Sequence, residues 1–290
     1  MCDQPRFVDH HGATLEFTEE LRREFGLDLP LVEQFFVYIR RLATLDLGVS
    51  VIQQQPVLDL ILDRLPATLL LMVTAIAVAI ASGVSLGVVA ARRQGGWVDN
   101  VISVVALLVY ATPAFWLGLM LIVFFSIQLD LLPSGGMMRI GVSQSPLALA
   151  LDVARHLVLP ALTLGLFYAA IYARLMRASM LEVYGQDFIT TARAKGLPER
   201  AVAWSHAARN ALLPVVTLAG MQIGHMLGGS ILIETVFGWP GLGRLVFDAL
   251  QQRGLNLLLG ILFVSSVVVV LANLVVDLLY GLLDPRITHK

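Results

Sequence analysis

Long uncharged runs constrain this chain more than any motif does. Leu65 to Ala91 continues for 27 residues, and Asn100 to Leu129 for 30, without Asp, Glu, Lys or Arg. A helix needs roughly 20 apolar residues to cross the hydrocarbon core of a bilayer, so each of these runs is long enough to span it. Leu157 to Ala173 is a third, shorter run of 17 residues. Ala211 to Ile233, with His225 as its only ionisable group, makes a fourth, and Gly254 to Val276 a fifth. Only 14% of residues are charged, against about 25% in an ordinary globular protein. The chain reads as an all-α polytopic membrane protein with five spans. Cys2 is the only cysteine, which excludes an intrachain disulfide.

Loop charge gives the orientation, because short cytoplasmic loops are enriched in Lys and Arg. The 174 to 210 connection holds Arg174, Arg177, Arg193, Lys195, Arg200 and Arg209 against Glu182, Asp187 and Glu199. It is expected to face the cytoplasm, as is the basic turn 92 to 99, two spans earlier. The connections 130 to 156 and 234 to 253 then lie outside, and the tail "DPRITHK" inside. Residues 1 to 64, with eleven acidic and six basic residues, are expected to form an external amphipathic segment. Residues 65 to 290 form the transmembrane domain. Because no preceding span carries the first segment across, the sequence is expected to begin after a first helix that the natural gene product has.

The polar island "DFITTARAKGLPERAVAWSHAARNALLP", 187 to 214, exceeds what a simple connection requires. Gly196 stops a helix, and Pro198 suits the first turn of the next one, where its missing N–H costs nothing. The pattern predicts two short helices with a bend at Gly-Leu-Pro. In the second, Ala201, Trp204, Ser205 and Ala208 fall on one side, while Glu199, Arg200, His206, Arg209 and Asn210 fall on the other. A basic helix lying on anionic headgroups is one reading. The small-residue side, with Trp204 as its only large apolar anchor, suits close packing against a protein better.

At these residues the chain resembles the binding-protein-dependent ABC importer permeases, and within them the first permease subunit of the dipeptide, oligopeptide and nickel branch. "TARAKGL" followed by "HAARNALLP" is similar to that branch's cytoplasmic coupling loop. The general form is Glu-Ala-Ala, three residues, Gly, nine residues, then Ile-x-Leu-Pro. Here Thr190 and Thr191 replace Glu and the first Ala, Ala192 and Gly196 match, and Leu213-Pro214 arrive late, as in the peptide and nickel branch. "LRREFGLDLPL", "LDLGVS", "RLPATLLL", "ETVFGWPGLGRL" and "NLVVDLLYGLLDPRI" resemble further segments in the family's order. Two departures stand out: the family's first transmembrane helix is absent, and "RGLN" at 253 to 256 replaces Arg-Asp-Tyr-Pro.

The resemblance implies a type I ABC importer transmembrane domain in the bacterial inner membrane. It also implies a heterodimer with a second permease subunit, separate ATPase subunits and an external solute-binding protein. The coupling loop would include Asp187, Thr191, Ala192, Arg193, Ala194, Gly196, Glu199, His206 and Arg209. The chain itself would bind no cofactor, ATP and Mg being held by the ATPase subunits. Consistent with that, no Gly-x4-Gly-Lys-Ser/Thr loop occurs, and the two lysines, Lys195 and Lys290, lie outside any such context. Besides membrane lipid, the expected partners are proteins; nucleic acid is not among them.

Ionisable groups inside spans are costly and often functional. His225, near mid-span beside Gln222, is the best pathway candidate, with satisfaction by a neighbouring helix as the alternative. Glu234 and Asp277 lie near span ends, where a structural role is the alternative to a pathway one. Pro113, Pro160 and Pro214 are possible breaks lining a pathway, or plain kinks. Gly83 and Gly87 form a small-xxx-small pair that reads as helix packing. A proton- or ion-driven transporter with His225 and Glu234 as relay groups is the competing function. An intramembrane enzyme lacks its motifs: neither His-Glu-x-x-His nor Gly-x-Ser-x-Gly occurs. The solute class expected from the resemblance is peptide, with nickel gaining no support because no His or Cys cluster has ligand spacing.

Overall fold

A computed structural model describes residues 30–139, 141 and 145–283. The first part of the 1 to 64 segment and the "DPRITHK" tail therefore lie outside the described residues, as does the Asp277 side chain.

The chain starts with α1 (Leu31–Ala43) and a two-residue-per-strand hairpin, Val49–Ser50 against Gln55–Pro56. Helix α2 (Val57–Arg92) leads into α3 (Trp97–Ala111) and α4 (Ala114–Leu121), which runs on as a π-helical stretch, Ile122–Gln128. Helix α5 (Pro146–Tyr184) is followed by the short α6 (Asp187–Ala194). Helix α7 (Glu199–Phe237) contains a second π-helical stretch, Val202–Ala207. Helices α8 (Leu242–Gln251) and α9 (Leu255–Leu283) complete the order.

Four of these helices, α2, α5, α7 and α9, are long and apolar enough to cross a membrane; α3 with α4 makes a fifth span if the bent pair counts as one. The expected boundaries need correcting. Helix α2 begins at Val57, not Leu65: its 36 residues extend about 54 Å, well over the roughly 30 Å hydrocarbon core, so the helix has room for Asp59, Asp63 and Arg64 in its opening turns. The 17-residue run is the middle of α5, so Arg174, Arg177 and Glu182 belong to a helix and not to a loop. The long uncharged run from Asn100 is not one straight helix: its axis turns by 106°. Thr112, held extended (φ −82°, ψ 131°) ahead of Pro113, causes the break, since the ring of proline disfavours helical backbone at the preceding residue. Pro160 and Pro214, by contrast, stay within α5 and α7.

Helix α5 is the centre of the bundle: 72% of its apolar window is buried, against 11% for α9, which sits at the periphery. Its main partner is α2, and glycines set the approach. A Cβ on Gly83 would come within 2.8 Å of the Ala169 carbonyl, and one on Gly87 within 2.6 Å of Met176 Cβ. Backbones in lipid associate through such small-residue contacts, because burial of apolar surface gives little drive there. A smaller cluster, Val57, Ile61, Leu242, Leu245, Leu257 and Ile261, ties the starts of α2 and α9 to α8.

Candidate coupling surface and pathway face

The polar island forms the junction between α5 and α7. Helix α6 covers Asp187 to Ala194, and Gly196 adopts φ +75°, a left-handed turn that suits glycine, before Pro198 caps α7. The bend lies at Gly-Leu-Pro as the sequence indicates. The second element is not a short helix, however: from Glu199 it continues as α7 to Phe237.

Burial divides the loop residues into two sets. Ile189 and Ala192 of α6 are buried, as are Val202, Ala203, Ala207 and Ala208 of α7, all within the main apolar cluster. Asp187, Thr191, Arg193, Ala194, Gly196, Glu199 and Arg209 are exposed, and His206 is half-buried. Ala192 therefore packs inside the chain. The expected two-sided pattern of the second helix also changes: Ala208 turns inward, while Trp204 is 39% exposed and joins Arg200 and Arg209 on the outer side. The physical reason is the π-helical stretch, whose i→i+5 bonding shifts the register that a 3.6-residue period assumes. Phe188 and Leu197, both 37% exposed, add apolar area to this basic surface. No periodicity marks them, because α6 is too short and Leu197 lies in the turn after it.

The loop is braced from within. Arg193 donates from Nε to Glu199 Oε1 at 2.8 Å and from Nη2 to Oε2 at 3.4 Å, across the Gly196 turn. Its guanidinium also lies 5.5 Å from the centre of the Tyr184 ring at the end of α5. The Glu199 carboxylate raises the already high pKa of Arg193, chiefly through that hydrogen bond. One side chain thus spans the end of α5, α6 and the start of α7.

A second brace has no local signature in the sequence. Asp99, 2% exposed at the start of α3, receives Arg177 Nε at 2.6 Å and Nη2 at 2.7 Å, and the Gly95 N–H at 2.9 Å. The planar guanidinium fork matches the two carboxylate oxygens, the strongest geometry for such a pair. It fixes the 93–96 turn to α5, one helix before the island. The signal was present only as charges in two separate stretches, without spacing to pair them.

The three pathway candidates on α7 do not share a face. His225 is exposed, in a row with Pro214, Met221 and Leu232. Gln222 is half-buried, and its Oε1 is shielded without a hydrogen-bond partner among the described residues. Glu234 is fully buried, on the opposite side. Its Oε1 accepts from Thr68 Oγ1 at 2.7 Å and its Oε2 from the Arg244 N–H at 3.1 Å. Nearby, Trp239 Nε1 donates to the Ala67 carbonyl at 2.8 Å. Glu234 is thus placed as a clasp among α2, α7 and α8. Nine residues separate it from His225, about 13 Å of helical rise, so the two do not form a relay. Among the described residues, no group of three or more His, Cys, Asp or Glu side chains could hold a metal ion.

A membrane bundle whose two longest helices are joined by a braced, basic, protruding loop has the fold of an ABC importer transmembrane domain. The inward-facing MetNI methionine ABC transporter superposes with a TM-score of 0.63 at 17% identity, covering 78% of this chain and 96% of that one. An amino acid ABC transporter solved with histidines gives 0.52 at 17% identity, covering 79% and 94%. At this identity the likeness shows the fold alone. The family follows from sequence: residues 83–289 match the binding-protein-dependent transport system inner membrane component, and the chain belongs to that family. It is 41% identical to the dipeptide transport system permease protein DppB of Escherichia coli K12, across 96% of this chain and 87% of the relative. It is 39% identical to the glutathione transport system permease protein GsiC of the same strain, across 99% and 90%. The chain is a multi-pass permease component of an ABC import system.

Proposed function

We propose that the chain forms half of the translocation pathway of a short-peptide importer, paired with a second permease subunit and fed by an external binding protein. ATP is hydrolysed on separate ATPase subunits, which also hold the Mg; the chain has no catalytic role of its own. The loop 187–210 faces the cytoplasm of a bacterial inner membrane and receives the ATPase stroke. The braced loop carries this reading: Arg193 of α6 reaches Tyr184 at the end of α5 and Glu199 at the start of α7, so contacts link a displaced α6 to both. Peptide is favoured as the solute because relatives at 41% and 39% identity are named for dipeptide and glutathione transport. The exposed row containing His225 is the face offered to the pathway.

The test is substrate-stimulated ATP hydrolysis by the chain co-purified with its ATPases, binding protein and second permease, with dipeptides and Ni²⁺ compared as solutes. Ala192 and Gly196 are poor probes, the first being internal and the second conformational. Lys195→Glu with Arg200→Glu reverses charge on the exposed side and is expected to abolish stimulation while leaving the fold intact. Full stimulation in that double variant would overturn the coupling role. Uptake that survives ATP depletion would overturn the ATP-driven reading.

A further inference from the structure

Helix α1 presents an apolar face that no other described residue covers. Val32, Phe35, Phe36 and Ile39 are 68%, 59%, 65% and 45% exposed. Their spacing of i, i+3, i+4 and i+7 puts them in one stripe along the helix. Glu33 and Arg40 flank the stripe on one side, and both are exposed. On the far side Gln34, Val37, Tyr38 and Arg41 face a cleft shared with Asn256, Leu259 and Gly260 at the start of α9.

We propose that α1 is an interfacial anchor, lying in the plane of the bilayer with the Val32, Phe35, Phe36 and Ile39 stripe seated between headgroups and acyl chains. Three observations select lipid over a protein partner. The first is depth: α1 packs beside the opening turns of α9, where a span enters the membrane. The second is continuity. Leu255, Leu259 and Leu262, in one row at the start of α9 beside α1, are 71%, 48% and 61% exposed, so α1 and its neighbour both turn apolar side chains outward at the same level. The third is chemistry: the stripe contains no hydrogen-bonding group, while Glu33 and Arg40 flank it on one side and Tyr38, 42% exposed, lies between stripe and cleft on the other. Interfacial helices combine such a face with charged flanks, and tyrosine favours the headgroup level. The anchor would hold the entry to α2 and α8 at fixed depth. Which leaflet it occupies rests on the orientation proposed above; the lipid contact itself does not.

The test uses the full chain in its transport complex, in nanodiscs of phosphatidylethanolamine and phosphatidylglycerol. With Cys2→Ser as background, nitroxide labels are placed by Phe36→Cys, Ile39→Cys and, as an aqueous reference, Gln252→Cys. At Phe36 and Ile39, collisions with oxygen are expected to exceed those with a water-soluble nickel chelate, reversing the order at Gln252. Nickel-dominated collisions would show the stripe in water, and loss of both kinds would show a covering protein segment; either result overturns the proposal. A Phe35→Trp variant, conservative in size, reports independently: its added emission is quenched by brominated lipid if the anchor exists, and unquenched emission again overturns it.

Discussion

Thr68 and Glu234, separated by 166 positions in the chain, meet through a 2.7 Å hydrogen bond from the threonine hydroxyl to Glu234 Oε1. The same Thr68 oxygen accepts the Leu242 N–H at 2.7 Å, so one hydroxyl joins α2, α7 and α8. Gly241 belongs to the arrangement too, since a Cβ there would meet the Glu234 carboxylate. The segment "ETVFGWPGLGRL" is therefore a closure in which the acid, the glycines and the tryptophan serve one geometry.

Replacing Thr68 with Val keeps the shape and removes both hydrogen bonds, leaving the Leu242 N–H buried without a partner. An unmet buried donor costs about 1–3 kcal/mol. The melting temperature in detergent should fall by several degrees. Glu234→Gln should fall as well, because an amide NH₂ in place of Oε2 would face the Arg244 N–H, donor against donor. An unchanged melting temperature in both variants would refute the clasp.

The Asp99 and Arg177 pair should be as sensitive to geometry as to charge. Arg177→Ala strands a carboxylate that is 2% exposed; because the Arg177 side chain is itself 32% exposed, the loss should be nearer that of an unmet buried polar group, about 1–3 kcal/mol, than the cost of a fully buried ion pair. Arg177→Lys keeps the charge and loses the two-point fork, so it should recover part of that stability. Combining Arg177→Ala with Asp99→Ala should destabilise less than the sum of the single changes. A double-mutant cycle by thermal unfolding measures the coupling, and strict additivity would show that the pair does not act as a unit.

The Arg193 and Glu199 brace predicts a different split. Their side chains are 43% and 61% exposed, and pairs this open contribute below about 1 kcal/mol. Arg193→Ala and Glu199→Ala should hence leave thermal stability nearly unchanged. Substrate-stimulated ATP hydrolysis should nevertheless drop severalfold, and the charge-swapped double variant Arg193→Glu with Glu199→Arg should restore part of it. Equal losses of stability and stimulation would mean the brace only maintains the fold.

Four of the apolar helices and the bend inside the island were legible in the sequence because both rest on local signals: uncharged length, and a glycine followed by proline. The family was legible from ordered motifs. What stayed hidden was non-local. Nothing near Asp99 announces Arg177, 78 positions on, and nothing near Glu234 announces Thr68. Charge also misled where a helix outruns the hydrocarbon, as at Asp59 and Asp63 in α2 and at Arg174 and Arg177 in α5. The 3.6-residue period failed at Trp204 because the backbone there is π-helical, which leaves no trace in side-chain pattern.

The glycines of this chain should divide sharply by what a methyl group would meet. At Gly87 a Cβ would come within 2.6 Å of Met176 Cβ and 2.7 Å of the Ala173 carbonyl, both anchored near backbone, so neither can swing away. Gly87→Ala should push α2 off α5 and lower stability markedly. Gly228 has nothing within 4 Å of the same position, and alanine is favoured over glycine in a helix interior by about 1 kcal/mol. Gly228→Ala should thus be neutral or slightly stabilising in the isolated chain. Gly228 sits one turn beyond His225 on the exposed row, so its vacancy has a second reading in the assembled transporter. If a second permease packs there, Gly228→Ala should weaken co-purification of that subunit without lowering the melting temperature of the chain alone. Measuring both quantities on both variants separates packing within the chain from packing between subunits. A Gly87→Ala chain as stable as the parent would show that α2 and α5 are not held by that close approach.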